Sequence, residues 1–94
     1  MEKERALLEM QQSLLGEVPR TLRAVTIRVA GDHLHFDSYF DGPIAEIDIE
    51  SMSCVETELI AVFPEIIQLT HSVHRLDMPT VLPKTDCFVY LRRE

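Results

Sequence analysis

Four histidines are the first side chains to consider as metal ligands. His33 and His35 alternate along one side of a segment with strand character, and His71 and His74 are three residues apart. Zinc takes four tetrahedral ligands, or three and a water, each held by further hydrogen bonds. The two pairs belong to different predicted strands, and neither has a cysteine near it in the sequence. This pattern is typical of solvent-facing strand histidines, so we predict no metal and no cofactor. A small metal- or ligand-binding domain is the weakest of three interpretations of this sequence.

The two cysteines, Cys54 and Cys87, are the candidate nucleophiles. A reactive thiol needs a lowered pKa and a neighbouring base, and the sequence around neither cysteine indicates them. The chain also contains no GxSxG, HExxH or GxGxxG motif and no Walker loop. We therefore predict that the protein is not an enzyme. Because the cysteines form no CxxC pair and no secretory segment precedes them, we expect both thiols to be buried and reduced.

Acidic residues are concentrated in the middle of the chain. The formal net charge is −7, but residues 29–74 contain no lysine or arginine. A negative segment of this kind disfavours nucleic acid and anionic membranes and favours a basic protein surface as the partner. The plainer interpretation is a surface that only keeps the protein soluble. The acids of the segment are Asp32, Asp37, Asp41, Glu46, Asp48, Glu50, Glu56, Glu58 and Glu65.

Neither a membrane nor a secretory location is indicated. No apolar run approaches the roughly 20 residues needed to cross a bilayer. The N-terminus is mixed in charge and has no apolar secretory core. We expect the protein to be cytoplasmic.

The hydrophobic periodicity defines the elements that must position these side chains. Period-3.6 patterns predict helices, and alternation predicts strands; Gly31-Asp32 marks a hairpin between the first two strands. Prolines end both helices, and the segment between Pro79 and Pro83 is predicted to be irregular. The predicted elements are a helix at 2–15, strands at 22–29 and 33–40, a helix at 44–63, and strands at 66–73 and 87–91.

The element order α-β-β-α-β-β predicts one α+β domain over residues 1–94. Its simplest arrangement has two layers: a four-stranded, mainly antiparallel sheet with both helices on one face. The other face of the sheet would then be at least partly open. In the second helix, one side is predicted to pack on the core: Ala45, Met52, Val55, Leu59, Val62 and Phe63, with Ile49 and Ile60 at its edge.

The far side of that helix and the end of the second strand carry the candidate partner-binding residues. Carboxylates next to a tyrosine suit an arginine-rich surface, because they accept paired guanidinium hydrogen bonds while the ring adds contact area. Asp41 could instead only shape a turn, and Glu56, near the apolar side, is either paired or extended to solvent; the sequence leaves both questions open. The candidates are Asp37, Tyr39, Asp41, Glu46, Glu50, Ser53, Thr57 and Glu58.

Arginines from both ends of the chain could form a basic edge if the first and last strands are neighbours. No set of stacking aromatic residues accompanies them, so nucleic-acid binding is not indicated. We interpret them as a solvated strand face. They are Arg20, Arg23, Arg28, Arg92 and Arg93.

Short phrases from about residue 6 to the C-terminus carry a family resemblance. They are LLGEVP at 14–19, LRAV at 22–25, YFDG at 39–42, TE at 57–58, FPE at 63–65, RLD at 75–77 and VYLRRE at 89–94. In these phrases the chain resembles small bacterial immunity proteins of polymorphic-toxin systems, of the colicin and contact-dependent growth inhibition type.

The resemblance implies a cytoplasmic antidote that binds the C-terminal domain of a cognate toxin and blocks its active site. Toxins of this kind are often nucleases with basic clefts, which an acidic partner would suit. The resemblance supplies no map of binding residues. A self-associating structural or adaptor domain is the second interpretation, and we expect a monomer or a weak homodimer.

Overall fold

The computed structural model describes residues 2–63, 68–84 and 87–94. Within these residues the element order is the predicted α-β-β-α-β-β. The predicted start of the third strand, at 66, lies outside the described residues, and the strand continues two residues beyond its predicted end. The elements are α1 (Lys3–Ser13), β1 (Leu22–Ala30), β2 (His33–Phe40), α2 (Glu46–Val62), β3 (Gln68–Arg75) and β4 (Cys87–Leu91).

The four strands form one sheet in the order β3-β2-β1-β4. β1 is antiparallel to both β2 and β4, whereas β2 and β3 are parallel, from the pair His33–Gln68 to the pair Phe40–Arg75. The prediction of a mainly antiparallel sheet is therefore only partly right, because the sheet is mixed. The parallel pair follows from the chain path: α2 lies between the two strands and returns the chain to the end at which β2 began.

A tight turn joins β1 to β2. Gly31 has a φ of 61°, in the left-handed region that side chains other than glycine seldom adopt. The turn sets Ala30 opposite His33 and Ile27 opposite Phe36. This register places Ile27 and Phe36 on the same side of the sheet.

One hydrophobic core holds both helices against the sheet. Met10 of α1 and Met52 of α2 are fully buried in it together with Phe36 and Phe40. None of the helices formed by the described residues lies on the opposite side of the sheet, which we call the helix-free sheet face. It is defined by five residues that the strand register places on one side: Thr26, Asp37, Tyr39, Ser72 and His74.

The buried side of α2 is narrower than predicted. Met52, Val55, Leu59 and Phe63 are buried, whereas Ala45, Ile49, Ile60 and Val62 are exposed. Ala45 directly precedes the first helical residue. Its backbone N–H donates a hydrogen bond to the carboxylate of the buried Asp48 at 3.3 Å. A carboxylate that satisfies the helix N-terminus thus occupies a place that the periodicity assigned to apolar side chains.

The segment between β3 and β4 contains no helix or strand among its described residues, 76–84, in agreement with the prediction for Pro79–Pro83. No helix in the described parts of the chain is long and apolar enough to cross a membrane.

Candidate partner-binding site

Five of the eight predicted binding residues share the outer side of α2. We call this set the acidic helix surface. All five are exposed, because they lie on the side of the helix that is turned away from Met52, Val55 and Leu59. The five are Glu46, Glu50, Ser53, Thr57 and Glu58.

The carboxylates of the acidic helix surface are available to a partner. Glu46, Glu50 and Glu58 form no ion pair with any residue in the described ranges. The Thr57 hydroxyl, by contrast, donates to the Ser53 carbonyl oxygen at 3.1 Å, within the helix itself. The three glutamates are thus the groups that can accept new charged hydrogen bonds.

Apolar side chains border these carboxylates. A surface depression of about 560 Å³ is lined by Glu50, Ser53, Cys54, Thr57 and Glu58. On the same helix, the side chain of Ile47 is 69% exposed, and Ile60 is also exposed. Interfaces between proteins combine apolar contact area with charged groups at the rim, and this surface has both.

Asp37 and Tyr39 lie on the helix-free sheet face, on the opposite side of the sheet from α2. Each is only 8% exposed. The Asp37 carboxylate accepts hydrogen bonds from His74 Nε2 at 2.7 Å and from His35 Nε2 at 3.1 Å. Tyr39 stacks on the His74 ring, with the centroids 5.0 Å apart. The structure therefore does not bring these two residues together with the acidic helix surface.

The environment of Asp37 shifts its pKa. Burial by itself would raise the pKa of this carboxyl, but the hydrogen bonds and charges of His74 and His35 outweigh burial and hold the pKa below its ordinary value. His35 Nδ1 is in turn hydrogen-bonded to Thr70 Oγ1 at 2.7 Å. We call His35, Asp37 and His74 the histidine–aspartate cluster. This cluster connects β2 to β3. Among the described residues, no group of three or more His, Cys, Asp or Glu side chains, this cluster included, is arranged so that it could hold a metal ion.

Asp41 has a structural role in the turn after β2. Its carboxylate accepts hydrogen bonds from the Met78 backbone N–H at 3.2 Å and from the Arg92 guanidinium at 3.3 Å. Asp77 accepts hydrogen bonds from the Gly42 N–H at 2.7 Å and from Arg75 at 3.0 Å. Two aspartates thus join the end of β2 to the segment after β3.

The predicted basic edge is only partly right. β1 and β4 are neighbours, as the prediction required, but Arg23 is 3% exposed and lies where the β1 register shifts. It donates to Glu94 at 2.7 Å and to the Leu76 carbonyl at 2.7 Å. This side chain is therefore a buried connection between three segments instead of part of a solvated face.

The packing of α2 answers the question that the sequence left open for Glu56. Glu56 is paired: its carboxylate lies 3.5 Å from His71 Nε2 on β3. Cys54 and Cys87 are free thiols, as expected, but Cys54 is exposed and Cys87 half-buried, so the expectation of burial is wrong. Cys54 lies on the outer side of α2, where it is exposed.

The small α+β fold thus carries three exposed glutamates on α2 that have no ion-pair partner among the described residues. The chain belongs to the MafI2 immunity protein family, whose family model matches residues 3–94. This match confirms the resemblance to small bacterial polymorphic-toxin immunity proteins, which are generally not enzymes. The curated proteins include no significant match to the chain.

Proposed function

We propose that this protein neutralises a bacterial toxin by binding the toxin's C-terminal domain through the acidic helix surface. The observation that carries the proposal is the set of three exposed glutamates on α2, Glu46, Glu50 and Glu58, that have no ion-pair partner among the described residues. Family membership supports toxin neutralisation as the biological role.

The negative charge of the acidic helix surface favours a positively charged surface on the toxin. Carboxylates that are unpaired in the free protein form charge-assisted hydrogen bonds with arginine or lysine without first breaking internal pairs. A basic cleft, such as the one a nuclease uses to hold phosphates, is the surface that fits best. Complementary charge also accelerates encounter, which benefits an inhibitor that must act before its toxin does.

The proposed interface leaves out Asp37, Tyr39 and Asp41. Asp37 and Asp41 already accept hydrogen bonds from His74 and Arg92, and a new partner would have to compete with these. Leaving a buried donor or acceptor without a partner costs about 1–3 kcal/mol. The helix-free sheet face is therefore a poorer interface than α2.

Co-expression with the toxin gene next to the gene of this protein tests the function. Cells that make the toxin alone should stop growing, and cells that also make this protein should grow. A toxin that still kills in the presence of the folded protein would contradict the proposal. When this protein is made in the cytoplasm, protection of the cells also tests the expected cytoplasmic location. Light scattering tests the expected monomer or weak homodimer.

A further inference from the structure

A second surface depression lies between α1 and α2. It has a volume of about 500 Å³, and its lining includes Glu9, Ser13 and Leu15 from the first helix and the turn after it, and Glu58 and Val62 from α2. Glu58 also lines the depression on the outer side of α2. The acidic helix surface therefore continues across α2 onto α1, which the sequence did not indicate.

This depression has apolar side chains between two carboxylates. Leu15 is 78% exposed and Val62 is 41% exposed, while Glu9 and Glu58 stand on different helices. Neither glutamate has an ion-pair partner in the described part of the chain. A ligand for this site must carry positive charge and also cover apolar surface.

Ser13 supplies a polar group to the lining of the depression. The residue is 4% exposed and lines the depression, yet its side-chain hydroxyl is in no hydrogen bond between described residues. The oxygen is not among the enclosed, unpartnered side-chain atoms of the described residues, so it can be reached from the depression. A ligand that carries N–H donors into the depression would satisfy it.

Arg5 lies near this site but does not fill it. Its guanidinium donates to the Val62 carbonyl at 3.4 Å and lies 4.7 Å from the centre of the Phe63 ring. It therefore interacts with the C-terminal end of α2, where a positive charge is favourable. The lining of the depression itself includes no lysine or arginine.

We propose that the depression between α1 and α2 binds one arginine side chain of the toxin. The proposal rests on the proposed function, because it assumes that the acidic helix surface contacts the toxin. The methylene groups of the arginine cover Leu15 and Val62, as long cationic side chains commonly do on apolar surface. Its guanidinium has five donors in a planar fork, which can reach both carboxylates and a hydroxyl, whereas a lysine has a single ammonium.

The test measures the affinity of an inactive, purified domain of the neighbouring toxin by calorimetry. Glu9→Gln and Glu58→Gln should each weaken binding about tenfold, since each removes a charge from a charge-assisted hydrogen bond. Glu4→Gln is the matched control: it is an exposed glutamate of α1 outside the depression, and its affinity should stay within about twofold of wild type. Circular dichroism confirms that each variant is folded.

Toxin variants identify the arginine. Each surface arginine of the toxin domain is changed to lysine. The arginine that occupies the depression is the one whose substitution weakens binding to the wild-type protein but does not weaken binding to the Glu58→Gln variant any further. If Glu9→Gln and Glu58→Gln both bind like wild type while the wild type still protects cells, the arginine site is wrong and the function stands. If the wild type neither binds nor protects, the function itself is wrong. A wild-type dimer that Glu58→Gln dissociates would show that a second copy occupies the depression, and would also overturn the arginine site.

Discussion

The acidic helix surface and the helix-free sheet face contain the same kind of side chain in opposite circumstances. Glu46 and Glu50 project from α2 with no ion-pair partner among the described residues, whereas Asp37 is nearly buried and held by two histidines. The carboxylates of Glu46 and Glu50 can therefore accept hydrogen bonds from a partner, whereas the carboxylate of Asp37 stabilises the sheet. Acidic residues from one base-free stretch of sequence thus include exposed carboxylates without an ion-pair partner among the described residues and a carboxylate that is held inside the fold.

A change beneath the acidic helix surface should give the largest effect and separate stability from binding. Leu59 is fully buried on the inner side of α2. Leu59→Ala should lower the free energy of unfolding by about 2–4 kcal/mol, because it leaves a cavity in the core. Urea denaturation measures this loss, and the folded fraction should keep its toxin affinity. If affinity fell as well, recognition would depend on the packing of α2 as well as on its outer charges.

Charge reversal on the outer side of α2 should weaken toxin binding and leave the stability of the fold nearly unchanged. Glu46→Lys with Glu50→Lys should weaken toxin binding about 100-fold, since two attractive contacts become repulsive, and should change the free energy of unfolding by less than about 1 kcal/mol. The matched control is Glu2→Lys with Glu4→Lys at the start of α1, because Glu4 and Glu46 both lie in the first turn of a helix. Calorimetry with the toxin domain decides; equal affinity in both double variants would remove α2 from the interface.

Asp37→Asn should affect stability and spare binding. Both histidines are bonded to Asp37 Oδ1, an oxygen that asparagine retains, but the amide has no negative charge, so the hydrogen bonds lose their charge assistance. The free energy of unfolding should therefore fall by about 1–2 kcal/mol at neutral pH. Toxin affinity should be unchanged. A variant that lost affinity but kept its stability would place the histidine–aspartate cluster in the interface and reverse the comparison.

The smallest effect is the dependence of stability on pH. Because the pKa of Asp37 is lowered in the folded state, the unfolded state binds more protons below the unfolded pKa of about 3.9. The stabilisation from this group is therefore complete above that pKa and is lost as the pH falls through the folded pKa. Unfolding measured between about pH 2 and pH 6 should show a shallower slope for Asp37→Asn than for wild type; equal slopes would mean that the histidines do not stabilise the carboxylate.

Much of the fold was predictable because local patterns decide it. Alternation in β1 and β2 and the 3.6-residue period of α2 are visible in the sequence, and so is the glycine turn between the strands. The direction of β3 was harder to predict, since either orientation buries the same alternating residues. It depends on where α2 returns the chain, which becomes clear only when the helix is packed on the sheet.

The candidate site was predictable in part, for the same reason. Glu46, Glu50, Ser53 and Thr57 share a side of α2 through helical spacing alone. The roles of Asp37, Asp41 and Arg23 depend on His74, Arg92 and Glu94, which come from distant parts of the chain. The sequence did not indicate that Glu9 and Glu58 line one depression, because this requires knowing that α1 lies against α2.

The sequence by itself determined the element order, the negative middle of the chain and the resemblance to immunity proteins, because composition and period are local properties. Only the tertiary structure decided which carboxylates are available to a partner. The reason is physical: a carboxylate is free or engaged according to the donors within about 3 Å of it, and in this protein those donors are brought there by β3, by the segment after it and by the C-terminus.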